Sequence, residues 1–158
     1  MGFKIAIRTG YEADDMVASI AKDAKEKGFE VRIVSHDKDL YQLIDDKNSV
    51  YLFDPTKKQI INEAKCIEKY GVTPKQFIDY QALVGDTADN IPGVKGVGAK
   101  TAQTLIEQFG TLENIYENIE SIDKKRTKEL LIEGKENAFL SKQLVTLKDD
   151  CHFISNID

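Results

Sequence analysis

Cysteine is scarce: Cys66 and Cys151 are the only two in 158 residues, and neither stands in a metal-ligand spacing. That excludes a disulfide framework and a thiolate zinc site, and it fits reduced thiols of the cytosol. Long apolar runs are missing, so no membrane span is expected, and no signal peptide is visible. The start MGFKIA fails the myristoylation pattern, because residue 6 is Ala rather than Ser or Thr. A cytoplasmic protein without membrane contact is the expectation. Internal repeats and low-complexity segments are absent too, which speaks against a solenoid. With 41% apolar and 31% charged residues, the chain reads as an ordinary globular protein, long enough for one full domain or for one core with a smaller appendage.

A basic footprint is also lacking: the net charge is −5. Distribution matters more than the sum. Three acid clusters stand out, at Glu12, Asp14 and Asp15, at Asp37 and Asp39, and at Asp86 and Asp89. Setting those seven charges aside turns −5 into +2, and two bound divalent ions bring the whole to −1. Acidity is therefore compatible with metal-dependent DNA binding, without arguing for it.

Phe3 to Ile7 reads as a short strand and Glu12 to Lys27 as a helix, with Ala13, Met16, Val17, Ile20, Ala21 and Ala24 on one buried stripe. Gly28 ends that helix, and Glu30 to Ser35 is a β-branched strand. A short helix over Asp39 to Ile44 follows, then strand-like runs at Val50–Phe53 and Gln59–Ile61 around a turn at Asp54-Pro55. Strand, helix, strand at this spacing predicts a βαβ unit and a parallel sheet. Beyond residue 62 the pattern is helical, at 63–70, 74–84, 98–109, 111–118, 124–133 and 135–145, punctuated by glycine and proline. Residues 151–154 form a strand or a loose tail. The expected division is 1–62, an α/β core, and 63–158, a helical region.

Acids in a first helical turn complement the helix dipole, and Asp37 suits the N-cap of the 39–44 helix. Two such clusters ending successive strands would nonetheless share the crevice where α/β sheets place ligands. Oxygen ligands without a His or Cys pair suit Mg²⁺ or Mn²⁺, in two ions that clamp a phosphodiester. His36 is the one histidine near these acids, and metal catalysis does not need it as a base. Gly93 to Thr101 mimics a nucleotide P-loop, but Ala99 intervenes before Lys100-Thr101 and no apolar strand precedes it, so ATP binding is rejected. The better reading is a helix–hairpin–helix, in which the amides of Gly96, Val97 and Gly98 point at a DNA phosphate and Lys100 adds charge. Lys124, Lys125, Arg126 and Lys128 form the one dense basic run, read as a solvated helix face.

The segments GYEADD (10–15), VSHDKDLYQLI (34–44), YGVTPKQFIDYQALVGDTADNIPGVKGVGAKTA (70–102) and FLSKQL (139–144) closely resemble the 5′–3′ exonuclease domains of bacterial DNA polymerases I, within the flap endonuclease family. The resemblance implies a PIN-like partial parallel-sheet core with a helix–hairpin–helix. It implies a 5′ nuclease that removes 5′ flaps and RNA primers from DNA in replication and repair. Glu12, Asp14, Asp15, Asp37, Asp39, Asp86 and Asp89 fall on its metal-site acids. Asp14, Asp15, Asp37, Asp39, Asp86 and Asp89 are expected to carry the catalysis. Gly93, Lys95, Gly96, Val97, Gly98, Lys100 and Thr101 fall on its DNA-binding hairpin, where loop carbonyls can also hold K⁺. Ala88 and His36 depart from a common serine and a common glycine without removing a ligand.

The family's chain starts well upstream, with a central strand carrying a ligand aspartate and a helical arch that grips the scissile phosphate. The resemblance implies that this chain lacks those parts, that Met1 is an introduced start, and that activity is weak or lost. Exposed strand edges then predict a homodimer. The alternatives are a non-catalytic duplex-DNA-binding module and a PIN-type ribonuclease; the hairpin, suited to duplex, speaks against the second.

Overall fold

The computed structural model describes residues 2–151 and divides the chain into two units, one formed by Met1–Glu63 with the chain from Leu147 onward, the other by Ala64–Thr146. The strand or tail expected at 151–154 lies, but for Cys151, outside the described residues.

The first unit opens with α1 (Ala13–Glu26), then β1 (Val31–Val34), β2 (Val50–Asp54) and β3 (Gln59–Ile61). β1 pairs parallel to β2 from Val31↔Val50 to Val34↔Phe53, and β3 returns antiparallel with Leu52↔Ile61. The sheet is mixed and small rather than parallel throughout. No α-helix crosses between β1 and β2: the link is two 3₁₀ helices, Lys38–Leu43 and Asp46–Asn48. The turn at Asp54 forms as expected, its carboxylate accepting from the amides of Thr56 and Lys57 at 2.9 and 3.0 Å.

Phe3 to Ile7 is not a strand, which corrects the expected first βαβ unit. Phe3, Ile5 and Ile7 are all more than 80% exposed. A strand exists only through a ladder with a neighbour, and among the described residues none pairs with this segment. α1 buries Met16, Ala21 and Ala24 as the stripe requires, but also Ala18 and Ser19. The extra burial has a partner. The Cys151 amide donates to Ser19 Oγ at 3.1 Å, and the Lys148 amide donates to Asp15 Oδ1 at 2.9 Å. Residues 147–151 thus return to the first unit, whereas the expected division places them in the helical region.

The second unit holds α2 (Glu63–Tyr70, whose first residue belongs to the first unit), α3 (Pro74–Val84), α4 (Ala99–Phe109), α5 (Leu112–Glu117), α6 (Lys125–Glu133) and α7 (Lys135–Val145). α3 starts with Pro74 at its first position and a reciprocal capping box between Thr73 and Gln76. Its Phe77, Ala82 and Leu83 are fully buried against α4 and α7, with Tyr70 edge-on to Phe77 at 4.9 Å. One carboxylate is buried here. Asp79 accepts from the Leu112 amide at 3.2 Å and from Lys142 Nζ at 2.7 Å, and Lys142 reaches Glu113 as well. Hydrogen bonding to Lys142 holds the Glu113 carboxyl below its ordinary range.

Candidate functional site

At the carboxyl end of β1 the chain turns through Ser35, His36 and Asp37 into a 3₁₀ helix, and α1 packs on both elements. Asp37 caps that helix, accepting from the Asp39 amide at 2.9 Å, while its own amide donates to Ser35 Oγ at 3.0 Å. These bonds aim the Asp37 and Asp39 side chains back towards the first turn of α1, where Asp14 meets them. Asp14, Asp37 and Asp39 each offer a carboxylate oxygen, all within 4.8 Å of one another.

Three carboxylates so close repel. Burial, then a hydrogen bond with Asp37, then the charges of Asp37, Asp39 and Glu12 push the Asp14 carboxyl up to about 7. A metal-free centre therefore keeps a proton near neutrality that a cation would displace. Oxygen-only donors in this number fit a hard divalent ion.

The first turn of α1 divides its acids. Glu12 and Asp15 form a reciprocal capping box, with the Glu12 amide donating to Asp15 Oδ2 at 3.2 Å. Since Asp15 Oδ1 takes the Lys148 amide, both of its oxygens serve the backbone. His36 points elsewhere, with Nδ1 3.5 Å from Asp54 and Nε2 3.3 Å from the Thr56 hydroxyl.

Asp86 and Asp89 belong to the second unit. Asp86 and Ile91 exchange two backbone hydrogen bonds of 2.8 Å, closing a small loop, and Asp86 Oδ1 accepts from the Ala88 amide at 3.0 Å. Beyond it the chain passes so close to the end of α3 that only glycine fits. A Cβ on Gly93 would lie 2.5 Å from the Gly85 nitrogen, and one on Gly85 2.7 Å from the Ile91 carbonyl, both at positive φ. Gly93 is buried and donates its amide to Ser141 at 2.8 Å, so it builds the loop from beneath.

The tip follows: Val97 N–H donates to Val94 C=O at 3.0 Å, closing a turn with Lys95 and Gly96 at its corners. Gly96 takes φ +87, as the third residue of a type II turn must. Val94 and Val97 anchor the turn inward, while Lys95, Gly96, Gly98 and Lys100 are exposed and Thr101 half-buried. Gly98 caps α4 without any side-chain bond to its first amides. Sequence reading missed Ser141, whose hydroxyl holds the loop; a small polar residue inside an apolar helix face was its only signal.

Family models match along the whole chain: "5'-3' exonuclease, N-terminal resolvase-like domain" at residues 1–71, and "5'-3' exonuclease, C-terminal SAM fold" at 72–158. The DNA polymerase I of Deinococcus radiodurans is 43% identical over 95% of this chain, and a 5'-3' exonuclease of Buchnera aphidicola 44% identical over 95%. The chain spans 16% of the first relative's length and 54% of the second's. Among solved structures, the flap endonuclease of bacteriophage T5 in a complex with DNA and metal ions superposes with a TM-score of 0.80 at 32% identity. That match covers 93% of this chain and 53% of the T5 chain.

Proposed function

This chain belongs to the 5′–3′ exonuclease family, and we propose that it acts on DNA with 5′ ends or 5′ flaps, hydrolysing phosphodiesters with a divalent metal. The carrying observation is the Asp14–Asp37–Asp39 centre, three carboxylate oxygens within 4.8 Å on the ends of β1 and α1. The relatives' 5′–3′ exonuclease activity and the T5 enzyme's DNA and metal ions support the reading.

Asp14, Asp37 and Asp39 would hold the ion, Mg²⁺ or Mn²⁺ by their chemistry. A cation held there would supply Lewis-acid chemistry toward a phosphodiester. Asp14 gives up its proton to admit the ion, and the capping bonds of Asp37 keep two carboxylates aimed at one point. Glu12 and Asp15 fix the first turn of α1 and so position Asp14. The resemblance assigns metal binding to Asp86 and Asp89 as well. In the second unit Gly96, Val97, Gly98, Lys95, Lys100 and Thr101 would hold duplex phosphate, with Gly93 beneath them and K⁺ on the loop carbonyls. Three clustered carboxylates hold one ion better than two, so weak cleavage is expected. The exposed Phe3, Ile5 and Ile7 favour a homodimer, and the cytoplasm is the expected compartment.

End-labelled 5′-flap duplex, incubated with the chain and Mg²⁺ and then with Asp37→Asn, is the test. Slow cleavage that disappears in the variant supports the reading. Retarded duplex with no cleavage at any metal concentration would leave the second reading, a non-catalytic DNA-binding module; the glycine-built hairpin, complete without metal, favours that alternative.

A further inference from the structure

The dense basic run set aside as a solvated face does not all face open water. Beside the hairpin lies a cavity of about 290 Å³, bounded on one side by α4 and on the other by the start of α6. α4 contributes Lys100, Thr104 and Gln108, spaced by four so that they form one stripe along its outer face, with Thr101 alongside. α6 contributes Lys124, its N-cap, and Thr127 one turn later.

The charges around this cavity are unequally committed. Lys128 is taken by Glu120, and Arg126 stands 4.0 Å from Glu129. Lys100, Lys124 and their neighbours Lys95 and Lys125 make no ion pair among the described residues. Asp123 is the one acid lining the cavity. The Thr101 and Thr127 hydroxyls make no hydrogen bond to another described residue, whereas Thr104 donates to the Lys100 carbonyl at 3.0 Å. Two free ammonium groups and two free hydroxyls thus line a space at the small end of the range for ligand sites. Such a donor set, with one acid, suits an anion the size of a sugar–phosphate unit.

Resting on the hairpin reading above, we infer that this cavity is a second phosphate-binding station on the duplex: the backbone held at Gly96–Gly98 continues along the outer stripe of α4 and places a further phosphate between Lys100 and Lys124. Lys124, Lys125 and Thr127 then belong to the DNA footprint, and the footprint is longer than the hairpin alone provides. Contacts of this kind add affinity and salt dependence without reading sequence.

The test uses the whole chain in EDTA, so that duplex is bound and not cut. Amide NMR shifts on adding a blunt duplex are expected at Lys95 and Gly96 and also at Thr104, Lys124 and Thr127. Lys124→Ala with Lys125→Ala should weaken binding about three- to tenfold and lower the salt slope by about 1 to 2, while Lys124→Arg with Lys125→Arg restores both. Shifts confined to the hairpin, with an unchanged salt slope in the alanine variant, overturn this station and leave the hairpin reading standing. Shifts at Lys124 and Thr127 without any at the hairpin overturn the hairpin reading and, with it, the continuous path inferred here. No shifts anywhere overturn both.

Discussion

The two units solve opposite problems. In the first, Asp14, Asp37 and Asp39 are brought within 4.8 Å of one another against their own repulsion, and the Asp14 carboxyl is pushed up to about 7. In the second, the hairpin is set by backbone packing of Gly85 on Gly93, by the Ser141 hydroxyl and by buried Val94 and Val97. The acid cluster holds like charges together at a cost; the hairpin takes its shape from packing alone. Sites of concentrated charge trade stability for affinity, whereas sites of presented amides do not.

The largest expected effect breaks the second half of that comparison. Gly93→Ala forces a Cβ onto the Gly85 backbone at a positive φ and should cost about 3 kcal/mol in urea unfolding, the upper end of overpacking penalties. Gly98→Ala, with open space around its Cβ and φ −91, should cost less than about 1 kcal/mol. Equal costs would show that the hairpin is not built by that close approach.

Asp37→Asn tests the first half. Mn²⁺ affinity by calorimetry should fall about 10- to 100-fold, yet the metal-free variant should melt above the parent because a repelling charge is gone. A variant that melts lower without metal would mean the cluster is not strained.

The pH dependence has a definite sign. The Asp14 carboxyl is raised, so in the metal-free fold it loses its proton only as pH rises through about 7. Proton and cation compete below that point. Mn²⁺ affinity should climb about tenfold per pH unit from pH 5.5 and flatten above 7. Metal-free stability should fall over the interval between the unfolded carboxylate value and about 7, where the folded chain binds the extra proton. A flat affinity profile would remove Asp14 from the centre.

The smallest effect separates capping from ligation. Asp15→Asn should cost about 1 kcal/mol of stability, through the α1 cap and the Lys148 amide, with metal affinity changed less than threefold. A loss matching that of Asp37→Asn would return Asp15 to the metal shell.

The helices from residue 63 onward were legible within a residue or two, because Pro74, Gly85, Gly110 and Gly134 mark ends that local chemistry alone decides. β1, β2 and β3 were legible from their β-branched runs. Phe3 to Ile7 misled, since alternation reports a two-residue period and says nothing of whether a neighbour exists to pair with. The 3₁₀ crossover was read as a short helix for a similar reason: Asp37 caps both kinds of turn alike. All seven acids carried the same signal in sequence. Which of them cap and which converge is decided by Ser35, Lys148 and the packing of α1 on β1, and only Ser35 is local to the acids.

The return of residues 147–151 to α1 also sets an order in time. During synthesis at about 5–20 residues per second, α2 to α7 emerge between the sheet and the segment that ties down Asp15 and Ser19. The helical unit can be finished on the ribosome while the first turn of α1 still lacks its last two hydrogen bonds. The first turn of α1, which carries Asp14, is therefore completed late, on the order of ten seconds after its own residues have been made.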